Sequence, residues 1–201
     1  MTERKDIRVV ILGDSIVGAA GDPRGMGWVG RVASKTPATE PRIDIFALPV
    51  PSETSGQLSE RWKEEAGRRF STATENRLVI ALGNTDPAAG ISISRSRLNI
   101  ATILDDCRRA GIETFLVGPT PHHNPALNND VEHLATGYED VAARRGVTFV
   151  DCFRPLVGHS GWNEELAASE HHLPGQVGHG LIAWLVLNRG WYEWLGIDPE
   201  N

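Results

Sequence analysis

Apolar and polar residues alternate along this chain in two rhythms. Short runs rich in β-branched and large apolar residues, Ile7–Leu12, Ile43–Leu48, Leu78–Leu82, Thr114–Val117 and Val147–Val150, read as strands. Between most of them apolar positions recur at helical spacing, over Trp28–Ala33, Leu58–Ala66, Arg95–Ala110 and Asn129–Arg145, and Val177–Trp194 closes the chain as a further helix. In the third of these, Leu98, Ile100, Ala101, Ile103, Leu104 and Cys107 form the apolar stripe and Gly111 supplies the C-cap. Strands alternating with helices of this length predict a five-stranded parallel sheet covered on both faces, a three-layer αβα sandwich of the α/β class. No repeat, low-complexity tract or linker interrupts the pattern, so residues 1–201 read as one domain.

The first strand carries the chemistry. Val9-Val10-Ile11-Leu12 runs into Gly13-Asp14-Ser15, and in open α/β sheets ligands gather at the carboxyl ends of strands. Ser15 is delivered there as a candidate nucleophile, with capping of the next helix as its bland alternative. Asp14 reads as the residue that ties the turn through backbone N–H groups. Two loops are longer and richer in proline or glycine than simple connections require, Gly18–Gly27 and Gly118–Ala126.

Charge and composition narrow the function. A net charge of −6 without a clustered basic stripe argues against a nucleic-acid partner, and Arg108-Arg109 and Arg144-Arg145 read as helix-end charges. Cys107 and Cys152 lack metal or redox spacing, so no disulfide framework is indicated. The charged N-terminus leads straight into a strand and no apolar run reaches membrane-spanning length, which points to a cytoplasmic location. Gly25-Met26-Gly27-Trp28-Val29-Gly30 fits a dinucleotide pattern but lies too far beyond the strand, and is read as chance. His122-His123 has no third ligand at useful spacing; it reads as a rim of the substrate entrance or a substitute base, not a metal site, and no cofactor is called for. Trp184, Trp191 and Trp194 recur at helical spacing as core positions or a homodimer contact.

In order and spacing these residues resemble the SGNH, or GDSL-type, hydrolase family over nearly the whole chain, and the continuation Gly21-Asp22-Pro23 to Gly27-Trp28-Val29-Gly30-Arg31 is similar to an actinobacterial-looking branch of it. Gly13-Asp14-Ser15, Glu53-Thr54-Ser55, Gly83-Asn84-Thr85-Asp86 and Pro174-Gly175-Gln176-Val177-Gly178-His179 look like the family's successive blocks. The resemblance implies a flavodoxin-like sandwich and a serine hydrolase acting through Ser15, a histidine base and backbone donors to an oxyanion. This sequence departs from the family pattern at three places. Ser52 stands where the family has an oxyanion glycine, and Thr85 where it has an asparagine, with Asn84 one residue earlier. Ungapped counting puts Leu173 in the histidine slot and Glu170 in the acid slot, with His172, or its competitor His171, re-registered as the base. The residue three before His172 is Ser169, so Glu170 or a backbone carbonyl must orient the ring. The resulting expectation is a cleaver of small acyl esters with a degenerate or re-registered site. The alternative is a catalytically inactive relative that binds a small molecule or a protein partner.

Overall fold

The computed structural model describes residues 5–37 and 39–198. In chain order its elements are β1 (Ile7–Gly13), α1 (Gly27–Lys35), β2 (Ile43–Pro49), α2 (Ser55–Gly67), β3 (Glu75–Ala81), α3 (Thr85–Ala88) and α4 (Ile93–Arg109). They continue as β4 (Glu113–Val117), α5 (Pro125–Ala143), β5 (Thr148–Val150), α6 (Phe153–Leu156), α7 (Ser160–Ala168), α8 (Gln176–Val186) and α9 (Tyr192–Leu195). The five strands form one parallel sheet in the order β2-β1-β3-β4-β5, the α/β arrangement expected from the periodicity. β1 is an interior strand between β2 and β3, with Val9 opposite Ile45 on one side and Arg77 on the other. The strand order reverses around β1, so a crevice opens beyond its carboxyl end.

Alternate side chains of β1 feed two cores. Ile7, Val9 and Ile11 face Trp28 and Val32 of α1, Ile182 and Val186 of α8, and Trp191. Val10 and Leu12 face Leu58 and Trp62 of α2, Ile100 and Leu104 of α4, and Leu134 and Tyr138 of α5. A strand buried on both faces must be continuously apolar, which is why the β1 run lacks the alternation of a half-exposed strand.

The closing segment differs from the continuous helix expected over Val177–Trp194. α8 ends at Val186, and the backbone breaks at Arg189 (φ −125°, ψ 51°) and Gly190 (φ 98°, ψ 5°) before α9 begins. A positive φ favours glycine, so Gly190 lets the chain turn while keeping the helical apolar spacing on both sides. The turn drives Trp191 into the core, where it meets the Phe115 ring edge-on at 5.6 Å and its Nε1 donates to Thr36 Oγ1 at 2.9 Å. Trp194 packs on Phe115 and Trp191, whereas Trp184 is 60% exposed. Helices α3, α6 and α7 were not foreseen in the sequence pattern. Among the described residues no helix is long and apolar enough to cross a membrane.

Trp191→Ala removes a fully buried ring and its hydrogen bond to Thr36 Oγ1, whose hydroxyl keeps its bond to Val32 O. Denaturant unfolding is expected to show a loss of about 3–5 kcal/mol.

Candidate active site

The turn after β1 is fixed by Asp14. Its buried carboxylate accepts Ile16 N–H through Oδ1 and Gly83 N–H through Oδ2, both at 3.0 Å. The second bond joins the end of β1 to the turn after β3. The approach is so close that a Cβ on residue 83 would lie 2.4 Å from Oδ2, so only glycine fits there. Burial pushes the Asp14 carboxyl up to about 6, helped by the Glu53 charge and opposed by the two N–H donors.

Ser15 follows directly, and its Oγ accepts Ser52 N–H at 3.3 Å. Ser52 has φ +54°, the left-handed backbone a glycine takes without strain. The serine therefore preserves the donor geometry at a backbone cost of about 1–2 kcal/mol. Its loop is held from behind. Glu53, buried, takes a forked ion pair from Arg61, whose Nη2 also donates to Leu48 O at 3.0 Å. Thr54 and Gln57 form a reciprocal capping box at the start of α2.

Beyond β3, Asn84 Nδ2 donates to Thr120 O at 3.1 Å, joining that turn to the loop after β4. Thr85 opens α3, and its hydroxyl holds no hydrogen bond among the described residues. Asp86 is turned away and buried, accepting Ser55 N–H at 2.8 Å and the Ser96 hydroxyl.

The histidine loop lies between α7 and α8. Glu165 organises its far end, accepting Gly175 N–H and Gly178 N–H at 2.7 Å and Val177 N–H at 2.9 Å. This side-chain cap satisfies the free donors at the start of α8. Ser169 organises the near end, its carbonyl accepting His172 N–H and its hydroxyl accepting Leu173 N–H, both at 3.1 Å. His172 sits at φ +53°, and its Nδ1 lies 3.1 Å from Leu166 O. A carbonyl only accepts, so Nδ1 carries the proton and Nε2 is the free basic nitrogen.

Ser15, Ser52, Asn84, Thr85, His171, His172 and Leu173 all line one cavity of about 200 Å³, together with His122 and His123. Glu170 does not line it; this residue is exposed and makes no hydrogen bond to His172. The Leu166 carbonyl stands where an orienting carboxylate was expected. No hydrogen bond joins Ser15 to His172 in this structure; such catalytic bonds are often long before substrate binds. His179 is a different kind of histidine. It is fully buried, with Nδ1 accepting Trp28 N–H at 3.2 Å and Nε2 donating to Ala20 O at 3.0 Å, so both nitrogens are committed to structure. Among the described residues, no group of three or more His, Cys, Asp or Glu is arranged to hold a metal ion.

A serine at the carboxyl end of β1, a backbone donor on its oxygen and a histidine with a bare Nε2 in the same cavity are the parts of an acyl-transfer site. The GDSL-like lipase/acylhydrolase family profile matches residues 11–181. The chain belongs to that family, which places it among the carboxylic ester hydrolases. Its fold is shared by solved structures at low identity. Axe2, an acetylxylan esterase from Geobacillus stearothermophilus, superposes with TM-score 0.74 at 16% identity over 99% of this chain and 98% of its own. TesA gives 0.71 at 21% identity over 91% and 97%, and the psychrotrophic esterase EstA from Pseudoalteromonas sp. gives 0.71 at 19% over 94% and 98%. No curated protein sequence matches the chain significantly.

Two outcomes test this geometry. The Asp14 carboxyl titrates at about 6 when folded, against about 3.9 when unfolded. Its folded pKa is raised, so its contribution to stability is complete below pH ~4 and is lost as pH rises through ~6, by about 3 kcal/mol. Urea titrations between pH 4 and 7 should show this downward component in the wild type and not in Asp14→Asn. Ser52→Gly relieves the left-handed serine but gives the unfolded chain more freedom, so unfolding should show a net gain of up to about 1 kcal/mol.

Proposed function

We propose that the protein cleaves small acyl esters through an acyl-enzyme on Ser15. The observation that carries this reading is the Ser52 N–H held 3.3 Å from Ser15 Oγ in the cavity that also contains His172. The left-handed backbone at Ser52 supports this reading, because it is the conformation a glycine would take there.

In the first half-reaction Ser15 Oγ attacks the ester carbonyl carbon and gives its proton to His172 Nε2. The negative charge moves to the carbonyl oxygen, where the backbone N–H groups of Ser15 and Ser52 receive it. A side-chain donor comes from the turn after β3. One N–H of Asn84 is committed to Thr120 O, so the unengaged Thr85 hydroxyl is the more available group. Collapse of the tetrahedral species expels the alcohol, which takes the proton from His172. Water then attacks the acyl-Ser15 carbonyl, His172 accepting its proton, and a carboxylic acid leaves as Ser15 regains its hydrogen. The Leu166 carbonyl keeps the Nδ1–H tautomer throughout, the role assigned to Glu170 or a backbone carbonyl on sequence grounds. The cavity volume of about 200 Å³ favours short acyl groups over long chains.

The inactive-relative reading rests on the missing Ser15–His172 hydrogen bond and on Leu173 in the cavity wall. A fluorophosphonate probe decides between them, with p-nitrophenyl acetate as the turnover substrate. Wild type should label and turn over, Ser15→Ala should do neither, and His172→Ala should lose about 10²–10⁴ in kcat. A wild type that stays unlabelled counts for the inactive relative.

A further inference from the structure

The His172 loop is exposed, its backbone is left-handed, and no carboxylate holds the ring. The Leu166 hydrogen bond holds the ring at one nitrogen only, so a swing of the ring out of its plane would break that bond and release the tautomer. The face of the ring is covered by His123, with centroids 3.9 Å apart and planes 15° from parallel. His122 extends the stack, 4.2 Å from His123 at 33°.

This stack is built on a braced loop. His122 N–H donates to Asn128 Oδ1 at 2.8 Å, and Asn124 N–H donates to His122 Nδ1 at 2.9 Å. Asn124 then caps α5 through Ala126 N–H at 3.0 Å. Pro121 and Pro125 bracket the segment, and Asn84 holds its base at Thr120.

We propose that His123 is a positioning residue for His172, its ring clamping the base in plane and offering a neutral π face to the imidazolium formed in each half-reaction. The proposal rests on His172 being the catalytic base. Burial and the neighbouring rings hold His122 and His123 below the usual imidazole value, so both are uncharged near neutrality. The other titratable groups lining the cavity are His171 from the His172 loop and Asp14 from the end of β1. Neither competes for the face that His123 covers. Stacking of a cation on a neutral ring is stabilising, and worth most where water is partly excluded.

The test compares wild type, His123→Ala and His123→Phe by p-nitrophenyl acetate kinetics and by ¹⁵N–¹H correlation of the imidazole nitrogens. His123→Ala should lower kcat by about two- to thirtyfold, the range of a cation on an aromatic face, with KM little changed. His172 should pass from a fixed Nδ1–H tautomer to a mixture. His123→Phe keeps the stacking face and should recover most of the kcat and the fixed tautomer. Wild-type kcat and tautomer in His123→Ala, or a His123→Phe no better than His123→Ala, overturns the proposal. Should His123→Ala fail to fold, the tautomer in His123→Phe decides: fixed supports the clamp, mixed overturns it. A wild type that neither labels nor turns over sinks the esterase reading instead. The tautomer comparison then judges the clamp alone, a fixed form lost in His123→Ala supporting it and an unchanged one overturning it.

Discussion

The carboxylate of Asp14 is the constraint on which the site depends. It lies where the strand order reverses, and its two hydrogen bonds tie the β1 turn to the β3 turn across that crevice. Without this tie the Ser15 hydroxyl and the Asn84-Thr85 turn would be positioned independently, each by its own loop. A charged group in so buried a place is costly. Its pKa near 6 shows that the two backbone donors recover only part of the cost. The remaining penalty is a local loss of stability at the turn that carries Ser15.

Strain is distributed around the cavity in the same spirit. Ser52 and His172 both adopt left-handed backbone, and both sit in loops anchored from outside. The anchors are the Glu53–Arg61 pair with the capping box for Ser52, and the Glu165 cap with Ser169 for His172. A non-glycine residue in that conformation persists only when its surroundings over-determine it. The Glu165 cap explains how the histidine loop keeps a defined shape. Three N–H groups converge on one carboxylate, so the loop's exit into α8 is fixed, while Ser169 holds its entry.

Much of this was legible in the sequence. The β-branched runs located the five strands within a few residues, because a central parallel strand admits little besides apolar side chains. Gly13-Asp14-Ser15 was readable as a turn for the same reason. The break at Gly190 was hidden because the tryptophan spacing on either side continues a helical pattern. Helix α7 was hidden because its polar positions outnumber the buried pair Trp162 and Leu166. For the histidine ring, counting along the chain offers Glu170 or an unspecified backbone carbonyl; which carbonyl, Leu166 O, has no signature in residue type. His123 likewise reaches His172 across nearly fifty residues, a contact that depends on two loops meeting.

Replacing a carboxylate by a carbonyl changes the chemistry in a definable way. A carboxylate behind an imidazole does two things: it selects the tautomer, and its charge stabilises the imidazolium. The Leu166 carbonyl performs the first while the ring faces it, since its lone pairs accept the Nδ1 proton. It performs the second weakly, because a dipole replaces a full charge. In the proposed reaction two features of the cavity would act on the deficit. The ionised Asp14 is a negative charge in the cavity wall at neutral pH, and the stacked histidines present π density to the ring that becomes charged. Both act through space on His172 and neither requires a carboxylate three residues upstream. The backbone donor persists at Ser52 and the tautomer persists through Leu166. In the proposed reaction, what differs from a carboxylate-backed histidine is therefore the electrostatic support of the proton transfer.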